Sequence, residues 1–198
     1  MLFRSVAGFY NDKSNSQQFR FVPEGTLNAV IAIDEIDIIG GELEFTALAT
    51  DDLTLRGFVG YVNAEIDRFS LDPGDEGNRA PYVPEVTAGF GVNHVWTLPS
   101  DWFGPGLAVI TDIQYEFRGS QFWDTNNTPG SRRDALNLVN GRVALQAERW
   151  ALALWAKNLG DLDYHSEVIT ILTDPAVLTQ AVHKAPPRTW GLEFEFRF

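Results

Sequence analysis

Apolar and polar side chains alternate residue by residue along most of this chain, and the spacing of three to four that marks an amphipathic helix is hard to find. That period predicts an all-β fold with about eight strands, near 2–10, 36–49, 53–68, 84–97, 106–122, 135–148, 150–158 and 188–198. The most regular piece is the C-terminal RTWGLEFEFRF (188–198), where Trp190, Leu192, Phe194, Phe196 and Phe198 alternate with Gly191, Glu193, Glu195 and Arg197. In 106–118, Leu107, Val109, Ile113, Tyr115 and Phe117 share one face, while Asp112, Gln114, Glu116 and Arg118 share the other. In 84–97, Val86, Ala88, Phe90, Val92 and Trp96 oppose Thr87, Gly89, Gly91 and Asn93.

The connections alternate in length. Those near 50–52, 99–105 and 148–150 are short, while 11–35, 69–83, 123–134 and 159–187 are long. Transmembrane β-barrels have short turns at one rim and longer loops at the other, so the pattern predicts an antiparallel meander of that kind. LDPGDEGNRAP (71–81) and DTNNTPGSRRD (124–134), rich in Gly, Pro, Asn and Asp, are expected as solvent-exposed loops.

Alternation by itself does not say which face meets which medium. A half-buried strand of a soluble sandwich turns its polar face to water, whereas a large membrane barrel turns it to the lumen. The polar faces carry acids and bases together: Glu42, Glu44, Arg56, Asp112, Glu116, Arg118, Arg142, Glu148, Glu193, Glu195 and Arg197. They suit a hydrated lumen wall with cross-strand ion pairs. Tyr61, Trp96, Tyr115, Phe117, Trp150 and Phe198 fall toward strand ends, where interfacial girdles place amphipathic rings.

Composition narrows the function more than the fold. A net charge of −12, with no basic run longer than Arg132-Arg133, excludes a nucleic-acid surface. The chain has no Cys, which removes disulfides and thiolate metal sites, and its three His are far apart. Mean hydropathy is −0.13, and no apolar run approaches the roughly 18 residues of a spanning helix. The first residues, MLFRSVAGFYNDK, show no signal-peptide pattern.

No catalytic constellation holds up, no cofactor is implied, and the chain is not expected to be an enzyme. Glu193 and Glu195 project to one face about 7 Å apart, the geometry of a glycosidase pair, but lumen-facing alternation explains them better. Asp161, Asp163 and His165 alternate as hard-metal ligands sometimes do, and serve equally as turn formers.

The stretch WALALWAKNLGDLDY (150–164), a long loop and then PPRTWGLEFEFRF (186–198) resemble the C-terminal end of TonB-dependent outer-membrane receptors. The matching positions are Asn158, Leu159, Asp161 and Tyr164, then Pro187, Arg188 and Thr189. IGGELEFTALATDDLTLRGFVGYVNAEI (39–66) and RAPYVPEVTAGFGVNH (79–94) resemble upstream strands of the same family. The resemblance implies that residues 1–198 are the C-terminal part of a barrel of about 22 strands, with plug domain and signal peptide absent from this chain. It implies uptake of a scarce solute, such as a ferric siderophore, a cobalamin or a glycan, across the outer membrane of a Gram-negative bacterium. The implied partners are outer-membrane lipid, the plug and N-terminal strands, the TonB complex acting through the plug, and the barrel-assembly machinery. The last would read Trp190, Leu192, Phe194, Phe196 and Phe198 as its signal. The alternative is a self-contained eight-stranded barrel with a structural or adhesive role.

Overall fold

The computed structural model describes residues 2–22, 27–99, 106–174 and 177–198. Among these residues twelve strands run in chain order: β1 (Leu2–Val22), β2 (Leu27–Leu48), β3 (Leu53–Arg68), β4 (Val86–Thr97), β5 (Ala108–Arg118), β6 (Gln121–Phe122), β7 (Arg132–Arg133), β8 (Leu136–Gln146), β9 (Trp150–Lys157), β10 (His165–Asp174), β11 (Val177–Lys184) and β12 (Thr189–Phe196). Eight of them form one antiparallel meander in the order β1-β2-β3-β4-β5-β8-β9-β12. Each pairs with its neighbour in the chain once the small hairpins β6–β7 and β10–β11 are set aside. Among the described residues β1 and β12 do not pair with each other, so the sheet is open.

Three expected boundaries differ. The predicted loop 11–35 is mostly strand, because β1 and β2 stay paired from Leu2↔Ala47 to Val22↔Leu27. The predicted loop 159–187 holds the β10–β11 hairpin, paired from His165↔Lys184 to Asp174↔Val177. The predicted strand 106–122 breaks at Gly119 and Ser120, where a Cβ on Gly119 would stand 3.0 Å from the Val86 carbonyl oxygen. The short turn at 99–105 lies largely outside the described residues.

Registers assign the faces. One row runs Thr46–Arg56–Gly91–Gln114–Asn140 and the next Leu48–Thr54–Asn93–Asp112–Arg142–Trp155–Gly191, so the charged positions share a face. On the other face, Leu43 meets Val59, Phe45 meets Gly57, and Val143 meets Leu154, which meets Leu192. These apolar side chains are uncovered: Val59 is 45% exposed, Ile113 48%, Leu154 52% and Leu192 70%. A soluble sandwich would lay a second sheet on this face, and an apolar surface this broad is what hydrocarbon solvates.

The height of the band agrees. Ten residue steps separate Val86, level with Tyr61, from Trp96 on β4. At about 3.4 Å per residue and a tilt near 40°, that is roughly 26 Å, the thickness of an outer-membrane apolar band. Glycines within it are filled from the next strand: Phe45 and Phe90 flank Gly57, their ring centroids 6.5 Å apart.

A large buried cluster among the described residues lies on the polar face near the long-loop end. Ile36 pairs with Ile66 and Ile38 with Ala64, and the segment after β3 folds back so that Phe69, Ala80 and Val83 pack on them. Ile66 and Phe69 are fully buried. By parity these positions share the face of Glu42 and Glu44, so the loop crosses the inner side of the sheet.

Candidate functional site

The polar wall is built from strand pairs that reach over a small residue. Arg56 on β3 donates to Asp112 on β5 at 3.0 Å across the intervening β4, where the Cβ position of Gly91 lies 3.7 Å from Arg56 Nε. Arg142 on β8 approaches Glu193 on β12 at 3.7 Å across β9, where Ala153, the register partner of Glu193, is 2% exposed. Other pairs lie along one strand: Arg118 with Glu116 at 2.6 Å and Arg197 with Glu195 at 2.8 Å. Glu42 and Glu44 form no ion pair among the described residues, and Glu44 lines an open groove of about 380 Å³ with Arg56, Phe58, Gln114 and Glu116. The carboxylates of Glu193 and Glu195 are thus each matched to an arginine. Every pair is at least partly exposed, so water screens it and its contribution to stability is small.

At the long-loop end the two polar segments expected to be solvent-exposed interlock instead. Asn127, in the left-handed conformation at φ 51, accepts from Arg79 N at 3.0 Å and donates to Arg79 O at 2.9 Å. An amide side chain thereby mimics a backbone partner, which is why Asn stands there. Asn126 donates to Asp75 Oδ1 at 2.8 Å, Asn78 donates to Thr125 O at 2.9 Å, and Tyr82 packs edge-on against Trp123 at 5.2 Å. Asp75, Thr125 and Ser131 are buried as a result. Sequence reasoning missed this cap; the doubled Asn at 126–127 was the available signal.

The β10–β11 hairpin folds onto the cap and touches β1. Burial, and then Glu167 beside it, push the Tyr82 hydroxyl above its usual value. At the base of the hairpin Lys184 donates to Asp163 Oδ2 at 2.7 Å and holds that carboxyl below the ordinary carboxylate range.

The residues matched at 158–164 and 187–189 form a clasp between β9 and β12. Asn158 is 6% exposed with φ 51, donates from Nδ2 to Leu162 O and accepts from Leu162 N, both at 2.9 Å. Leu159 N donates to Val139 O at 2.8 Å. Asp161 accepts from Arg188 N at 2.9 Å and faces the Arg188 guanidinium at 3.6 Å, fixing the start of β12 beside Thr189. With Asp161 committed to Arg188 and Asp163 to Lys184, the Asp161, Asp163 and His165 set does not converge on a cation. The Tyr164 carbonyl closes the loop by accepting from Ala185 N at 2.9 Å.

On the outward face of β12, Trp190, Leu192, Phe194 and Phe196 are 51 to 70% exposed, and Phe198 is fully exposed. Phe196 and Phe198 stack edge-on at 5.3 Å.

A family model described as TonB dependent receptor-like, beta-barrel matches residues 3–159. The chain belongs to that family. Among solved structures it is similar to the ferric yersiniabactin uptake receptor FyuA from Yersinia pestis (TM-score 0.78, 20% identity, 100% of this chain and 28% of that one). It is also similar to the siderophore receptor PiuA from Acinetobacter baumannii (TM-score 0.71, 18% identity, 98% and 26%). A third similar structure is the ferric citrate transporter FecA (TM-score 0.69, 22% identity, 100% and 29%). The chain thus spans between a quarter and three tenths of the length of these receptor structures. At such identities the likeness establishes a shared fold, a partial TonB-dependent barrel, and the family is one of transporters and receptors.

Proposed function

We propose that residues 1–198 are the C-terminal wall of an outer-membrane receptor that takes up a scarce solute with energy delivered by the TonB complex through a plug domain. The observation that carries this reading is the open eight-stranded sheet, apolar outside and charged inside, with a free edge at β1 and another at β12. In hydrocarbon every unpaired N–H or C=O costs several kcal/mol, so such a sheet persists there only when further strands close it. The inner charges, from Glu42, Glu44 and Arg56 to Arg142 and Glu193, then face the plug, and the cap with its two hairpins forms part of the outer vestibule. The setting is the outer membrane of a Gram-negative cell.

Two experiments test this. Accumulation of radiolabelled ferric siderophores, cobalamin and labelled glycans is compared in cells with and without the full-length receptor, each with and without TonB. The expected result is uptake of one class that needs both, and uptake of none sinks the proposal. Refolded 1–198 is then examined for heat-modifiable migration: a compact detergent-stable monomer would support the self-contained eight-stranded barrel in its place. The exposed series Trp190 to Phe198 is assigned to the assembly machinery, and deletion of Phe198 from the full-length receptor should lower the amount assembled.

A further inference from the structure

The seam between β9 and β12 has no tight turn to set its register. β2 meets β3 through the short segment 49–52, and β8 meets β9 through 147–149, where turn geometry dictates which residues face each other. Residues 158–188 separate β9 from β12, and a connection of that length dictates nothing.

Nor does the alternation of β12 decide it. The outward side chains Trp190, Leu192, Phe194 and Phe196 stand opposite Ala156, Leu154, Leu152 and Trp150. A slip of two residues would set Leu192, Phe194, Phe196 and Phe198 there, all apolar and all acceptable to hydrocarbon. On the inward face the same slip puts Glu195 opposite Ala153 in place of Glu193, so Arg142 keeps a carboxylate. A period of two guards against a slip of one and is blind to a slip of two.

Two contacts do distinguish the registers. Along the inward face of β9, Trp155 alone carries a ring, beside Ala151, Ala153 and Lys157. Along that of β12, Gly191 alone lacks a side chain, beside Thr189, Glu193, Glu195 and Arg197. The two are register partners: a Cβ on Gly191 would stand 2.7 Å from Trp155 Cζ2, and Lys157 Nζ lies over the same ring, 5.9 Å from its centre. After the slip the ring meets Glu193, and after a slip the other way Thr189. At the head of β12, Arg188 donates from its backbone to Asp161 at 2.9 Å, and its guanidinium lies 3.6 Å from Asp161 and 3.4 Å from the Leu159 carbonyl. Asp161 is tied to β8 in turn, because Asn158 N donates to Asn140 Oδ1 at 3.0 Å and Leu159 N to Val139 O at 2.8 Å. Moving β12 by two residues carries Arg188 about 7 Å away and breaks its contacts.

We propose that Trp155 over Gly191, together with Asp161 on Arg188, forms a register key that seats the terminal strand, so that the barrel closes with one stagger. A strand shifted by two would offer its outer edge to the first strand out of step, and stagger is linked to the tilt and diameter of a closed sheet. The inference rests on the barrel part of the proposed function and on neither the solute nor TonB.

Register is read by oxidative cross-linking in the full-length receptor, with any cysteine outside 1–198 replaced by serine. Ala151→Cys with Glu195→Cys reports the observed register, and Ala151→Cys with Arg197→Cys reports the slip. With the key intact, the first pair should cross-link and the second stay at background. Trp155→Ala with Asp161→Gly, glycine suiting the φ of 52 at that position, should raise the slipped product about 10-fold or more. Trp155→Phe, which keeps a ring, should raise it less. Gly191→Glu with Glu193→Gly moves the notch by two residues at constant composition, and combined with Asp161→Gly it should make the slipped product the major one.

Cross-links are read on total as well as membrane-inserted receptor, so a variant that does not assemble still reports. Slipped product no higher than wild type in both combinations overturns the proposal. So does loss of assembly with the native cross-link alone, which would give the four residues a role in stability only. A native cross-link pattern in cells that take up no solute would sink the receptor reading and leave the key standing.

Discussion

Replacement of Asn158 isolates two terms that the structure lets one separate. The residue sits at φ 51 with its amide closing two hydrogen bonds of 2.9 Å on the backbone of Leu162. Each bond contributes about 0.5–1.5 kcal/mol net, and the left-handed conformation costs a residue with a Cβ about 1–2 kcal/mol more than glycine. Asn158→Gly loses only the bonds, about 1–3 kcal/mol. Asn158→Ala loses the bonds and meets the strain as well, about 2–5 kcal/mol. The clasp anchors the β10–β11 segment, so trypsin cleavage at Lys184 in the full-length receptor reports its opening when reclosing is fast. Cleavage should speed up at least about 5-fold for Gly and a further 5- to 30-fold for Ala, each 1.4 kcal/mol being a factor of ten. If Gly opens the segment as readily as Ala, the strain argument fails; if neither differs from wild type, the clasp is not what holds the loop.

The same geometry yields three shorter expectations. A Cβ on Gly40 would stand 2.6 Å from the Tyr61 carbonyl oxygen, so Gly40→Ala should destabilise by about 1–3 kcal/mol in denaturant titration of the full-length receptor. Gly8→Ala, whose Cβ meets nothing nearer than 3.9 Å, should be tolerated. On the outward face, Leu154→Arg should cost about 2–4 kcal/mol in refolding into bilayers, while Ala153→Ser on the inward face should cost far less; equal costs would reverse the assignment of faces. Asp163 has its folded value lowered by Lys184, so its contribution is complete above the unfolded carboxyl value and lost as pH falls through the folded one. Amide exchange of β10 and β11, corrected for intrinsic rates, should therefore accelerate between pH 5 and pH 3, and Asp163→Asn should abolish that change.

The eight sheet strands were legible because a wall with lipid on one side and water on the other forces a period of two, and a slip of one residue would invert every side chain. What escaped lies outside that constraint. The ribbon YNDKSNSQQ extends β1 beyond the apolar band, where no face need be apolar, so its pairing leaves no hydrophobic trace. In SEVITILTD the apolar residues come as two adjacent pairs, Val168-Ile169 and Ile171-Leu172, so the strand leaves no period of two and reads as part of a long loop when the chain is parsed by wall strands alone. The cap was hidden for another reason: polar residues such as Asp75 and Thr125 are buried by amide partners 51 and 47 positions away, which no local pattern announces.

The ion pairs that step over Gly91 and Ala153 have a consequence for how this wall tolerates change. Arg56 and Asp112 lie on strands that do not pair, in neighbouring register rows, yet both depend on the missing side chain between them. A bulky residue at 91 would silence a charge pair without altering either charge, and a change at 56 or 112 would free 91 to vary. Mutational coupling in this barrel is therefore threefold, between positions two strands apart and the small residue under their bridge, and pairwise comparison of adjacent strands would overlook it.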